Sequence, residues 1–110
     1  MIWRKKNQEK NDICIHIFRD GICMGDDVFE HSFTISLKEY DSIDIMGLLK
    51  IIDIWLIQIE NVIWTVSLDE KVLGTIKIVN GEHSYEVSVQ EPLRRLDFSK
   101  NVYCRHRYLE

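Results

Sequence analysis

The stretch RDGICMGDDVFEH, from Arg19 to His31, sets Asp20, Cys23, Asp26, Asp27, Glu30 and His31 around two glycines, and DICIHIF just before it adds Cys14 and His16. Zinc takes thiolate, imidazole and carboxylate ligands four at a time in a tetrahedron, so Cys14, His16, Cys23 and His31 are the residues that chemistry would use. Adjacent carboxylates such as Asp26 and Asp27 can hold Mg²⁺, and only in a turn, because neighbours on a strand face opposite ways. The widest candidate metal cluster is therefore Cys14, His16, Cys23, Asp26, Asp27 and His31. Its spacing matches no compact metal motif, and a calcium loop would need further oxygen ligands at alternating positions. Asp beside Gly is also what a tight turn requires. The expectation is two turns with a charged rim and no cofactor.

Other chemistry has fewer residues to name. No nucleophile elbow marks a Ser, His and Asp set, and no Gly-rich phosphate loop precedes a helix. A small enzyme without a motif stays open as a reading only if the fold closes a pocket around converging polar groups. Arg94, Arg95, Lys100, Arg105 and Arg107, with Tyr103 and Tyr108 among them, are the types that grip a nucleic-acid backbone and stack on bases.

Charge layout weighs against that last reading. The net charge of −4 conceals basic ends: residues 1–10 and 93–110 each sum to +3, which leaves −10 on residues 11–92. An acidic body repels a polyanion, so nucleic acid is an unfavoured partner and a basic protein surface a favoured one. Arg19, Asp20, Asp26, Asp27 and Glu30 form the candidate acidic surface, with Trp55 as the aromatic anchor that would supply buried area.

The elements that must position these residues are legible as periodicities. DICIHIF alternates, as does HSFTISL with Phe33, Ile35 and Leu37 on one side, and both read as strands. RDG turns the chain between them, and ICM reads as a short returning strand. In EYDSIDIMGLLKIID the period changes: Ile45, Leu48, Leu49 and Ile52 share a helix face, Ser42 or Asp41 caps it, and the helix runs from about Ile43 to Asp53. Gly47 inside it costs about 1 kcal/mol against alanine unless packing needs a bare backbone. VIWTVSL places Val62, Trp64, Val66 and Leu68 on one face. DEK turns, VLGTIKIV and SYEVSV are strands, and NGEH between them is a hairpin signal. After Pro92 a short helix over Leu93 to Phe98 and a last edge strand, VYCRHRY, complete the chain.

The order β-β-β-α-β-β-β gives an α+β fold, an antiparallel sheet of five to six strands with one main helix on one face. At 110 residues one domain with basic tails is the default. Lys50 and Asp53 interrupt the most apolar stretch, so no window spans a bilayer. Three cysteines without a C-x-x-C suit reduced thiols, and with no signal peptide visible the expected compartment is the cytoplasm.

FRDGICMGDDVFEH, the amphipathic helix after it and the later tryptophan strand VIWTV together resemble a group of small bacterial proteins that share an R-D-x-x-C-x-G-D-D segment, a histidine soon after and the same tryptophan strand. The likeness covers about Ile15 to Val79, and that group has no assigned activity. It implies that Arg19, Asp20, Cys23, Asp26, Asp27 and His31 form a common surface. In size and acidity the chain is also similar to immunity proteins of toxin systems, an analogy of class only. A non-enzymatic interaction module with an acidic docking surface is the expectation that follows.

Overall fold

The computed structural model describes residues 13–21, 32–37, 43–56, 58–91 and 93–109. Their elements are β1 (Ile13–Arg19), β2 (Ser32–Leu37), α1 (Ile45–Trp55), β3 (Val62–Leu68), β4 (Lys71–Val79), β5 (Glu82–Val87), a 3-10 turn (Leu93–Arg95) and β6 (Val102–Tyr108). Six strands form one sheet in the order β2-β1-β6-β3-β4-β5, and α1 packs over β4 and β5. The fold is the expected α+β one. No described helix is long and apolar enough to cross a membrane. The strand expected at ICM lies outside the described residues.

VYCRHRY differs from the reading of it as an edge. It inserts between β1 and β3, parallel to β1 through Ile17↔Val102 and Arg19↔Cys104, and antiparallel to the whole of β3. The sheet is thus mixed. Arginine at alternate positions looks like an edge signal, yet alternation sends Arg105 and Arg107 to solvent while Val102 and Cys104 are fully buried. The backbone is then free to pair on both sides.

Local chemistry explains the turns. Asn80 and Gly81 both take positive φ, as a two-residue type I′ hairpin demands, and Val79 pairs with Glu82 across it. Asp69 likewise takes positive φ in the β3–β4 turn. The helix begins two residues later than its periodicity suggests because Asp44, extended at ψ −174, is itself the cap: its carboxylate accepts from Gly47 N at 2.9 Å. It runs on to Trp55, where Leu56 turns extended and Gln58 Nε2 donates to the carbonyls of Asp53 and Leu56.

One bulge shapes the core. The register shift between Val66 and Ser67 lets Leu73 and Gly74, consecutive on β4, both turn inward. Leu49 fills the space above Gly74: a Cβ there would stand 2.8 Å from Leu49 Cδ1 and 2.4 Å from the Glu86 carbonyl oxygen. Around this contact Ile15, Ile17, Leu48, Ile52, Trp64 and Ile76 are fully buried.

The helix also reports the curvature of the sheet. Asp53 bonds to side chains of β5 at one margin, and Trp55 packs against Phe33 of β2 at the other, the rings tilted by 38°. In a flat sheet these strands would stand about 24 Å apart, twice the diameter of a helix. The sheet therefore curls around α1 until both margins meet its last turn.

Candidate functional site

Of the candidate acidic surface, Arg19, Asp20 and Trp55 are described, and Arg19 meets both of the others at the end of β1. Arg19 faces the helix side and is 5% exposed. Its Nη1 donates to the Asp20 carbonyl at 3.3 Å, and its guanidinium carbon lies 5.7 Å from the Trp55 ring centroid. Trp55 stands between that cation and Phe33, whose ring centroid is 4.3 Å away. The indole thus closes the core margin, and the apolar side chain most open to solvent on the same helical turn is Ile54, 85% exposed.

Asp20 is turned toward the chain's own C-terminal strand. Its N–H donates to the Cys104 carbonyl at 3.1 Å, its Oδ2 accepts from the His106 backbone N–H at 3.3 Å, and its Oδ1 lies 2.8 Å from His106 Nδ1. This clasp extends the short parallel pairing of β1 with β6 beyond Arg19. The same carboxylate helps hold the Cys104 thiol, buried in the sheet, at a pKa of about 12; burial is the larger cause and the Arg19 cation opposes both.

Cys14 and His16 share the opposite face of β1 and are exposed, with His16 Nδ1 3.1 Å from Thr34 Oγ1 on β2. Among the described residues no group of three or more His, Cys, Asp or Glu side chains is placed to hold a metal ion. Cys23, Asp26, Asp27, Glu30 and His31 lie outside the described residues.

A polar cluster that the sequence reading passed over sits at the other flank of α1. Asp53, whose side chain is 7% exposed, accepts from Tyr85 Oη at 2.6 Å, and the same Oδ2 lies 2.7 Å from His83 Nδ1. Burial, then the hydrogen bond to Asp53 and its charge, raise the Tyr85 phenol to about 12. Asp53 Oδ1 and Trp64 Nε1 are buried with no hydrogen-bond partner among the described residues. The missed signal was Asp53 itself, a carboxylate on the helix face beside Ile52; one helix turn and two strands distant in sequence, its partners carry no local mark.

A histidine backed by a carboxylate does general acid–base work when a substrate can reach its second nitrogen. His83 does border an open depression of about 500 Å³, together with Lys77, Val79, Glu82 and Ser84. Ser84 pairs with Lys77 on the other face of the sheet. No described nucleophile or oxyanion donor converges with His83, and the cluster reads as a polar tie between helix and sheet. Comparison with family models, curated proteins and solved structures found no match for the chain.

Proposed function

We propose that the chain is a non-enzymatic protein-interaction module whose acidic end docks a basic protein surface, a role of the immunity or antitoxin kind. One convergence supports the reading. Topology brings the C-terminal end of β1, the approach to β3 and the β4–β5 turn to one end of the sheet, and with them Asp20, Glu60 and Glu82; the cations of this end, Arg107 and Lys77, lie on the face turned away from α1. In sequence, residues 20–31 between β1 and β2 carry Asp20, Asp26, Asp27 and Glu30 and no lysine or arginine. Exposed Ile54, on the last turn of α1, is an apolar side chain that a partner could bury.

Glu60 is partly engaged, since its Oε2 accepts from Gly81 N at 3.1 Å, and Asp20 is held by His106. Among the described residues of this end, the carboxylate left to a partner is that of Glu82, which is exposed. Such charges speed encounter and select partners more than they add affinity.

The test replaces Asp26, Asp27 and Glu82 by their amides and compares capture of partners from the native lysate at low and high salt. A basic protein retained by the parent chain, lost to the variant and released by salt is the expected outcome. Identical capture by both chains overturns the reading.

A further inference from the structure

The sheet face turned away from α1 carries a different charge from the rest of the protein. On it lie Tyr103, Arg105 and Arg107 of β6, Lys77 of β4 and Phe18 of β1, as the register pairs show: Phe18↔Tyr103, Thr65↔Arg105, Ile63↔Arg107 and Ile63↔Lys77. All three cations are exposed, and no ion pair among the described residues involves them. The acidic side chains on this face, Glu82 and Glu86 of β5, flank Ser84 diagonally from Lys77, and the two arginines of β6 stand two strands further in. No described element packs over it.

The cations form a bent line, two along β6 and the third across the sheet from Arg107. Arg105 and Arg107 lie about 7 Å apart along β6, and Lys77 is two strands, about 10 Å, from Arg107. One step further along β6, Tyr103 is 38% exposed and stacks on Phe18, with ring centroids 5.6 Å apart and planes at 25°. A row of cations ending in an open aromatic pair matches a strand that alternates phosphates with flat bases, since every base has a π-face. An acidic peptide would use the arginines and leave the aromatic pair idle. The outer surface of a curled sheet suits a single strand, which can follow its curvature, better than a stiff duplex.

We propose that this face binds single-stranded nucleic acid, with Arg105, Arg107 and Lys77 on phosphates and the Phe18–Tyr103 pair stacking a base. The acidic body does not forbid it. At about 0.1 M salt the screening length is about 10 Å, so the charges that matter are those on the face itself. Contact with three phosphates gives a slope of log K against log salt of about −2 for a single strand.

The experiment is fluorescence anisotropy with labelled oligouridylate and oligothymidylate of about a dozen nucleotides, a length one such surface can cover. The full chain is titrated between about 50 and 200 mM salt. Expected are saturable binding and a slope near −2. Arg105→Gln with Arg107→Gln should weaken binding about tenfold or more and flatten the slope by about 1.4, the share of two phosphates. Tyr103→Ala should weaken it about tenfold with the slope unchanged. The lysine pair Arg105→Lys with Arg107→Lys, which keeps both charges, should restore the slope and guard against a folding artefact. No saturable binding at the lowest salt, equal binding of polyglutamate, or unchanged binding by the glutamine variant overturns it.

Discussion

Asp53 Oδ2 lies 2.7 Å from His83 Nδ1, joining the last turn of α1 to β5 across thirty residues of sequence. Tyr85 Oη reaches the same oxygen at 2.6 Å. Removing the carboxylate strands both neighbours, so Asp53→Ala should cost about 2 kcal/mol, and it should couple to Tyr85→Phe by about 1 kcal/mol in a double-mutant cycle. Urea unfolding of the four proteins measures this. Strictly additive losses would mean that the three groups are neighbours without being a unit.

Alkali should loosen the fold in a defined window. The Tyr85 phenol rises from 10.0 to about 12 in the folded chain, and the Cys104 thiol from 9.0 to about 12. A folded pKa above the unfolded one means that each contribution is complete below the unfolded value and is lost as pH climbs through the folded one. The urea midpoint should therefore hold steady up to about pH 9 and fall toward pH 12. Tyr85→Phe removes its share and should flatten the upper part of that decline. A variant whose midpoint falls as steeply as the parent's contradicts the assignment.

Gly74 is the position least able to accept a side chain. Its added Cβ would meet the Glu86 carbonyl at 2.4 Å, a backbone atom, and Leu49 Cδ1 at 2.8 Å. Gly74→Ala should cost about 3 kcal/mol in urea unfolding, the upper range for overpacking. Gly47 offers the contrast. A Cβ there meets Ile43 Cβ at 3.1 Å, so the helical gain of about 1 kcal/mol and the tight contact oppose each other, and Gly47→Ala should change stability little. Equal effects at the two glycines would contradict this packing.

Thiol reactivity should divide by face. Cys14 is exposed on the outer side of β1, whereas Cys104 is fully buried. In a Cys23→Ser background a thiol reagent should label Cys14 rapidly and reach Cys104 only on unfolding, because reaction needs an accessible thiolate. Rapid labelling of both thiols in the native protein would place β6 away from the centre of the sheet.

The zinc reading has its own check. Cys14 and His16 share the exposed face of β1, and native mass spectra of protein purified without chelators test whether they hold a metal: the mass of the bare chain removes the zinc reading. One zinc per chain would bring Cys14, His16, Cys23 and His31 back together.

Local pattern alone determined the strands at Cys14, Phe33, Trp64 and Ile76, the buried face of α1 and the Asn80–Gly81 hairpin, because periodicity and turn chemistry are properties of neighbours in sequence. It also placed Trp64 inside and set Cys14 and His16 on one side of their strand. Tertiary structure alone decided who pairs with whom. An alternating strand states which side is apolar and nothing about which strand lies beside it, so β6, with its arginines, read as an edge and became central. The same holds for Asp20 with His106 and Asp53 with His83: each carboxylate found its partner through strand order and the curl of the sheet, relations that no short window of residues contains.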